Sequence, residues 1–214
     1  MSSNSETGGK PRRRNARGDG QRLRAEILAA ASEILDATGN EQAVTLRAVA
    51  RQAGIAAPSI YPHFPDAQAI LQAVVVEAFA SLREALMEAR RAAGNDSAAR
   101  LAAICEAYLD YADSQPERYR VMFGGLWSAA RAVEDDAISR PAAEELGQDV
   151  LAVLVEAMAE AARAKRSSTD DPFADATAVW LALHGLASQR TASSLFPFPK
   201  DIFDRLVRPL LRLT

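Results

Sequence analysis

The side chains with the clearest chemistry lie between residues 44 and 64, in the run VTLRAVARQAGIAAPSIYPHF. Thr45 and Arg47 stand near the start of a short amphipathic stretch, and Tyr61 and His63 stand at the end of the next one. A hydroxyl, a guanidinium, a phenol and an imidazole can each donate a hydrogen bond to a phosphate oxygen. Such contacts fix orientation and carry no sequence information, so these four residues are predicted to hold a nucleic-acid backbone.

The spacing of apolar residues in this run predicts a helix-turn-helix. One helix begins after Thr45, whose hydroxyl can cap the first turn, and Gly54 ends it. A second, short helix follows, and its start would face base edges in the major groove. Few of the residues at that start can form hydrogen bonds, so apolar contact with thymine methyl groups is expected. These base-facing residues are Ala56, Ala57, Pro58 and Ser59.

The same run resembles the DNA-binding head of the tetracycline-repressor (TetR) family of bacterial regulators. Heads of that family read approximately Thr-x-Arg-x-(Val/Ile)-Ala-x-x-Ala-Gly-(Val/Ile), followed by a short helix that ends Tyr-x-His-Phe. The resemblance implies a homodimeric regulator of transcription on double-stranded operator DNA, a repressor released by a small effector. The matching positions are Thr45, Arg47, Val49, Ala50, Ala53, Gly54, Ile55, Tyr61, His63 and Phe64.

The chain departs from the family pattern at two positions. Ala67 stands where the family commonly has a lysine that contacts phosphate, and Ala56 stands where a polar helix cap is usual. Both departures remove contacts that would strengthen DNA binding, and a basic N-terminal arm could compensate for them.

That arm is strongly basic, although the whole chain has a formal charge of −3. Residues 1–20 are rich in Ser, Gly and Asn and lack periodic apolar side chains, which predicts a disordered segment. In family terms its arginines would enter the adjacent minor groove or follow the backbone, and the alternative is a solvated tail that serves solubility. The arginines concerned are Arg12, Arg13, Arg14 and Arg17.

Trp180 and His184 are the most distinctive residues of the C-terminal half. They lie four residues apart on one face of an expected helix, and with Gly185 they resemble the Trp-x-x-x-His-Gly signature of one class of TetR-family C-terminal domain. Their indole and imidazole groups either orient a ligand in a cavity or form a core pair with internal hydrogen bonds, and the core pair is preferred.

Aromatic residues of the middle helices are expected to wall an effector cavity. A cavity of this composition suits a small apolar or aromatic molecule. The expected wall residues are Tyr108, Tyr111, Met122, Phe123 and Trp127.

Two helices near the C-terminus carry faces suited to a second copy of the chain. The resemblance implies that the last two long helices form a four-helix bundle with their counterparts, whereas an intrasubunit core is the alternative. The final helix is expected at residues 200–213, bent or shortened by Pro209. The first face consists of Ala174, Ala178, Leu181, Gly185 and Ser188, and the second of Ile202, Phe203, Leu206, Val207, Leu210 and Leu211.

Other classes of protein are disfavoured by the motifs that the sequence lacks. No Gly-rich phosphate loop, Gly-x-Ser-x-Gly elbow or His-Glu-x-x-His motif occurs, so no enzyme, metal or cofactor is predicted. Cys105 is a lone thiol, either buried or redox-sensing. No apolar run reaches the roughly 18 residues of a membrane helix, and the cytoplasm is the expected location. A ligand-blind DNA-binding dimer, whose C-terminal domain serves only dimerisation or protein contact, is the alternative function.

Helices must position all of these groups, because apolar residues recur at helical spacing and no segment alternates like a strand. The sequence therefore predicts an all-α fold. It divides into the arm at 1–20, a three-helix DNA-binding head at 21–66, and a helical ligand-binding and dimerisation domain at 67–214. Outside the helix-turn-helix, helices are expected at 21–38, 67–91, 97–114, 116–131, 141–166, 172–191 and 200–213.

Overall fold

The computed structural model describes residues 19–123, 128–134, 138–193 and 195–214. Within these ranges the chain forms helices joined by turns, with one isolated bridge between Ser167 and Leu213 and no strand, which confirms the all-α class. The helices are α1 (Asp19–Thr38), α2 (Leu46–Gln52), α3 (Ala67–Ala92), α4 (Ser97–Ser114), α5 (Pro116–Phe123), α6 (Ala129–Glu134), α7 (Arg140–Glu144), α8 (Gln148–Arg163), α9 (Pro172–Ala192) and α10 (Ile202–Leu206). Single 3-10 turns occupy Glu41–Ala43, Ala57–Ser59 and Arg208–Leu211.

Polar side chains and glycines set the ends of the N-terminal helices where the sequence predicted them. The Thr45 hydroxyl accepts a hydrogen bond from the Ala48 N–H at 3.1 Å, which caps α2. The Asp66 carboxylate caps α3 by accepting from the Ala69 N–H at 2.8 Å. Gly39 follows α1 with a φ of +59°, a conformation that costs a residue with a side chain more than it costs glycine.

Two hydrophobic cores share the long helix α3. The head core lies between α1, α2 and the first half of α3, and includes Ile27, Val49, Ile60 and Ile70. The body core joins the second half of α3 to α4, α8 and α9. Since one 26-residue helix contributes to both cores, a tilt of α3 moves head and body together.

Three predicted helices differ from those observed. The helix expected at 116–131 is not continuous, because Ser128 is not helical. The helix expected at 141–166 is divided into α7 and α8 by Gly147, which has a φ of +79°. A Cβ there would lie 2.8 Å from the Phe79 ring, so the close approach of α3 also requires glycine.

The expected final helix at 200–213 was wrong in length. It is a five-residue helix, α10, followed by a 3-10 turn that contains Pro209. Proline lacks the N–H that a continuing helix needs. Val207 and Leu211 of this segment are buried in the body core, so they pack within their own subunit.

None of the helices in the described parts of the chain has the length and apolar character that a membrane crossing requires.

Candidate DNA-binding surface and effector site

The recognition segment, residues 55–64, is tighter than the sequence suggested. After Gly54 (φ +66°) the chain makes one 3-10 turn at Ala57–Ser59 rather than an α-helix. Pro58 and Pro62 are four residues apart, and Pro62 has no N–H to donate to the Pro58 carbonyl. No side chain caps the turn at Ala56, as expected from its residue type.

Two buried side chains anchor this segment to the head. Ile60 is fully buried and Phe64 almost so, and the Phe64 N–H donates to the Ile60 carbonyl at 3.0 Å. The guanidinium of Arg24 on α1 lies 5.0 Å from the centre of the Phe64 ring, a cation–π contact. The segment is therefore fixed on one side and free on the other.

The free side carries the residues predicted to contact DNA. Tyr61 is 59% exposed, although its phenol ring is large and apolar. His63 is partly buried, and its ring lies near the start of α1, where a Cβ on Gly20 would be 3.7 Å from its Cε1 atom. Of the other predicted residues, Ala57 and Ser59 are partly buried, and Thr45, Arg47, Ala56 and Pro58 are exposed.

The arm arginines Arg12, Arg13, Arg14 and Arg17 lie outside the described residues. The arm joins α1 beside His63, so it enters the head next to the predicted phosphate contacts.

Six rings from four helices meet in the body. We call this group the aromatic cluster: Phe79 on α3, Tyr108 on α4, Tyr119 and Phe123 on α5, and Trp180 and His184 on α9. Phe123 is the common neighbour, with ring centroids 4.7 Å from His184, 5.0 Å from Tyr119 and 5.4 Å from Phe79. Trp180 and His184 stack with their centroids 5.9 Å apart.

A chain of hydrogen bonds runs through this cluster. The hydroxyl oxygens of Tyr108 and Tyr119 are 3.1 Å apart, and the Tyr119 hydroxyl oxygen is 2.8 Å from His184 Nδ1. Burial raises the pKa of Tyr119 to about 12 and raises that of Tyr108 further. Burial also lowers the pKa of His184, which favours its neutral form. The cluster thus contains three titratable groups, all favoured in their uncharged forms.

The structure brings together only some of the predicted effector residues. Tyr108, Phe123, Trp180 and His184 share the cluster, and Met122 is buried beside it. Tyr111 instead donates to the Ala78 carbonyl at 3.2 Å, and Trp127 lies outside the described residues.

Both interpretations of Trp180 and His184 retain support. His184 has the internal hydrogen bond that a core pair needs, yet both side chains remain partly exposed. Cys105 is fully buried, and burial raises the pKa of its thiol to about 12, which suits the structural interpretation of that residue.

Sequence reasoning missed Tyr119, the residue that joins Tyr108 to His184. A signal was present, because Tyr119 and Phe123 are four residues apart and therefore lie on one face of a helix. Phe79, the cluster residue on α3, was missed as well.

Helix α5 connects the cluster to the head through successive side chains. Tyr119 and Met122 belong to the body core, whereas Val121 is buried in the head core. Arg120 pairs with Glu117 at 2.5 Å and packs so closely on Gly39 that a Cβ there would overlap its guanidinium. One short helix thus contacts both the cluster and the C-terminal end of α1.

The outer face of α9 exposes apolar side chains. Leu181 is 56% exposed, with Ala174 and Gly185 exposed on the same face, and Phe173, on the Trp180 and His184 side of the helix, is 62% exposed. An exposed apolar face of this kind is typical of a protein–protein contact.

The all-helical fold and the helix-turn-helix in its head define a DNA-binding regulator of transcription, of the repressor type. Residues 27–74 match the family "Bacterial regulatory proteins, tetR family", and residues 101–212 match the family "Tetracyclin repressor-like, C-terminal domain". The chain belongs to the tetracycline-repressor family. The second match includes the Trp-x-x-x-His-Gly segment.

Three solved structures illustrate the similarity of this fold to known proteins. A protein of unknown function from Rhodococcus sp. RHA1 is 26% identical, with a TM-score of 0.74 over 95% of this chain and 98% of that one. A bacterial regulatory protein of the tetR family from Rhodococcus RHA1 is 23% identical, with a TM-score of 0.62 over 88% and 95%. The SmeT–triclosan complex is 19% identical, with a TM-score of 0.63 over 89% and 90%.

Proposed function

We propose that this protein represses transcription as a homodimer on operator DNA and leaves the operator when a small effector binds at the aromatic cluster. The observation that carries the proposal is the placement of successive residues on α5. Tyr119 hydrogen-bonds to His184 in the cluster, and Arg120 packs on Gly39 at the end of α1. An effector that moves the cluster would therefore also move the head.

On the DNA side, phosphate contacts are assigned to Thr45, Arg47, Tyr61 and His63, whose polar groups lie on or near the free side of the head. The exposed start of the recognition segment, residues 56–59, would meet base edges in the major groove. The arm was predicted at residues 1–20, but α1 already begins at Asp19, and Gly20 lies beside His63. The arginines before α1 would follow the backbone or enter the neighbouring minor groove.

The sequence placed this contact on the helix at 172–191 and on the final helix. Because the final helix is only five residues long, the homodimer is proposed instead to form through α8 and α9, the last two long helices of the structure. Ala174 and Leu181 give α9 an exposed apolar outer face, and Gly185 would allow close helix approach. The short α10 segment contributes little in this arrangement, because Val207 and Leu211 pack inside their own subunit.

Release would follow from a change in the separation of the two heads. In a dimer the two recognition segments must lie about 34 Å apart to enter successive major grooves. Movement of α5, transmitted to α1 through Arg120 and to α3 through the shared cores, would tilt each head and change that distance. A shift between two populations is sufficient for this control.

The effector is proposed to be small and apolar or aromatic, because rings dominate the cluster. SmeT, a protein of the same fold, has been solved with triclosan. We propose that the protein is not an enzyme and that it acts in the cytoplasm, where its operator would be found. The division into arm, head (residues 21–66) and body (residues 67–214) is retained as a proposal with one change: the first half of α3 packs into the head core, so the head extends into that helix.

Selection of genomic fragments bound by the purified homodimer would identify the operator. Fluorescence anisotropy would then measure operator affinity while thermal shift screens apolar and aromatic metabolites. A compound that raises the melting temperature and also weakens operator binding is the expected result. Tight operator binding that no stabilising compound changes would favour the ligand-blind alternative, and indifference to duplex DNA at low ionic strength would refute the proposal.

A further inference from the structure

We propose that the effector is an uncharged, flat aromatic or conjugated molecule whose oxygen accepts a hydrogen bond from Nε2–H of His184. This inference rests on the proposed function, because it takes the aromatic cluster as the effector site. It adds a charge and a hydrogen-bonding requirement that the apolar character of the rings does not by itself supply.

The first step concerns charge. In the described part of the chain, the hydrogen bonds and ring contacts of Tyr108, Tyr119 and His184 join them to one another and to the other rings of the cluster, and no Asp, Glu, Lys or Arg is among these partners. A carboxylate or ammonium that entered here would lose its hydration without meeting an opposite charge. The cluster therefore selects against ions of either sign.

The nearest charged side chains of α5 are directed elsewhere. Arg120 packs on Gly39 and pairs with Glu117, while Arg118 lines a surface pocket with Glu77. At the ends of α4 and α9 the charges also neutralise each other, because Arg190 pairs with Asp113 at 3.3 Å.

The second step concerns the direction of the hydrogen-bond chain. Tyr108 is fully buried, and the structure gives its hydroxyl one hydrogen-bond partner among the described residues, the Tyr119 hydroxyl at 3.1 Å. The Tyr108 proton is therefore donated to the Tyr119 oxygen, because a buried hydroxyl is rarely left without a partner. Tyr119 then donates to Nδ1 of His184 across 2.8 Å. The reverse direction would leave the Tyr108 proton without an acceptor.

This direction fixes the tautomer of His184. A neutral imidazole that accepts at Nδ1 carries its proton on Nε2, where it can donate to a ligand. Lowering of the pKa of His184 by burial keeps the ring neutral. A ligand oxygen that accepts, such as that of a ketone, ester or ether, therefore matches His184.

The third step concerns access. Tyr108 and Tyr119 are buried, whereas His184 is partly exposed, so the polar chain runs from the interior to an accessible edge. Phe123 stands edge-on to His184 and Trp180 stacks on it, and both are also partly exposed. Two rings beside the donor favour a flat ligand body.

Four naphthalene probes of similar size test the inference on the full-length homodimer. Intrinsic tryptophan fluorescence and calorimetry would measure the dissociation constants of acetylnaphthalene, naphthalene, naphthoate and naphthylmethylammonium. We expect the ketone to bind about tenfold more tightly than naphthalene, the gain from one buried hydrogen bond. Both ions are expected to bind at least about a hundredfold more weakly than the ketone. An ion that binds as tightly as the ketone, or a ketone that does not bind, would overturn the inference.

Variants of His184 locate the donor. In His184→Ala the ketone is expected to lose its advantage over naphthalene, and His184→Gln, whose amide can donate, should restore part of it. Tyr111→Phe is the matched control, because Tyr111 bonds to Ala78 outside the chain, and it should keep the full advantage. An unchanged preference in His184→Ala would reject the donor. Should that variant not fold, the comparison of the four probes on the unaltered protein still decides the inference.

Operator binding measured alongside distinguishes the two proposals. If an ion binds and releases the operator, the charge requirement fails and effector control stands. If the ketone binds as expected but the operator complex is unaffected by it and by every other stabilising compound, effector control fails and the ligand requirement stands.

Discussion

The head and the body each use a tyrosine with a histidine, in opposite ways. Tyr61 and His63 are two residues apart and lie on or near the surface of the recognition segment, where Ile60 and Phe64 hold them from beneath. Tyr119 and His184 are 65 residues apart and are joined by a hydrogen bond within the aromatic cluster. The first pair leaves its polar groups at or near the surface, while the second joins them to each other. The same residue types thus serve an external surface in one place and an internal, uncharged network in the other.

Truncating one fully buried side chain in each core should have the largest effect. We expect Ile60→Ala and Leu183→Ala each to lower the free energy of unfolding by about 2–5 kcal/mol, because each leaves a cavity. Urea denaturation followed by circular dichroism checks this, with the half-exposed Val76→Ala as control, expected to change it by less than about 0.5 kcal/mol. Equal losses in all three variants would contradict the assignment of the two cores.

Removing the surface pair should weaken DNA binding without unfolding the protein. Tyr61→Phe combined with His63→Ala removes two proposed phosphate contacts and is expected to cost about 2 kcal/mol, or about thirtyfold in affinity. The loss should be similar for operator and unrelated duplexes, and the dependence on salt should decrease. Anisotropy titrations at several salt concentrations measure both quantities. Unchanged affinity would refute the phosphate assignment.

Arg120→Gln should weaken the coupling between the aromatic cluster and the head without disrupting the structure of either. We expect effector and operator each to bind nearly as before, while the loss of operator affinity caused by the effector shrinks about fivefold, or about 1 kcal/mol of coupling. Operator titrations with and without effector provide the measurement. Arg131→Gln on α6 removes an exposed charge of the same type and should leave the coupling intact. Full coupling in Arg120→Gln would exclude this route.

The smallest expected effect is on the pH dependence of stability. Burial lowers the pKa of His184 in the folded protein, so the unfolded chain binds a proton first as the pH falls. Stability that is present above the ordinary histidine pKa of about 6.5 is therefore lost as the pH decreases below it. Melting temperatures at about pH 7.5 and about pH 5.5 should differ less in His184→Gln than in the unaltered protein. An identical difference would argue against burial of the neutral imidazole.

Local patterns made the head predictable from the sequence. Thr45 and Gly54 act within a few residues of their own positions, so their roles as helix cap and helix stop were predicted. The length of the second helix of the helix-turn-helix was overestimated. Pro62, like Pro58, lacks the backbone N–H that a continuing α-helix needs.

Long-range contacts made the body harder to predict. The hydrogen bond between Tyr119 and His184 depends on how α5 and α9 pack. The spacing of Tyr119 and Phe123 places both on one helix face but does not show which helix that face contacts. The close approach of Phe79 to Gly147 likewise divides a helix that periodicity alone extends. The final helix is shortened next to Pro209, as its sequence indicated, but the burial of Val207 and Leu211 within their own subunit was not predicted.

The shared helix α3 has a consequence for engineering. Ile70, Leu71, Val74 and Val75 belong to the head core although they follow the last residue of the helix-turn-helix. A chimera made to change operator specificity could join the heads and bodies of two proteins at residue 66. That junction would separate these four side chains from the other residues of their head core. A junction beyond Val75 would transfer the DNA-binding head together with the α3 residues that complete its hydrophobic core.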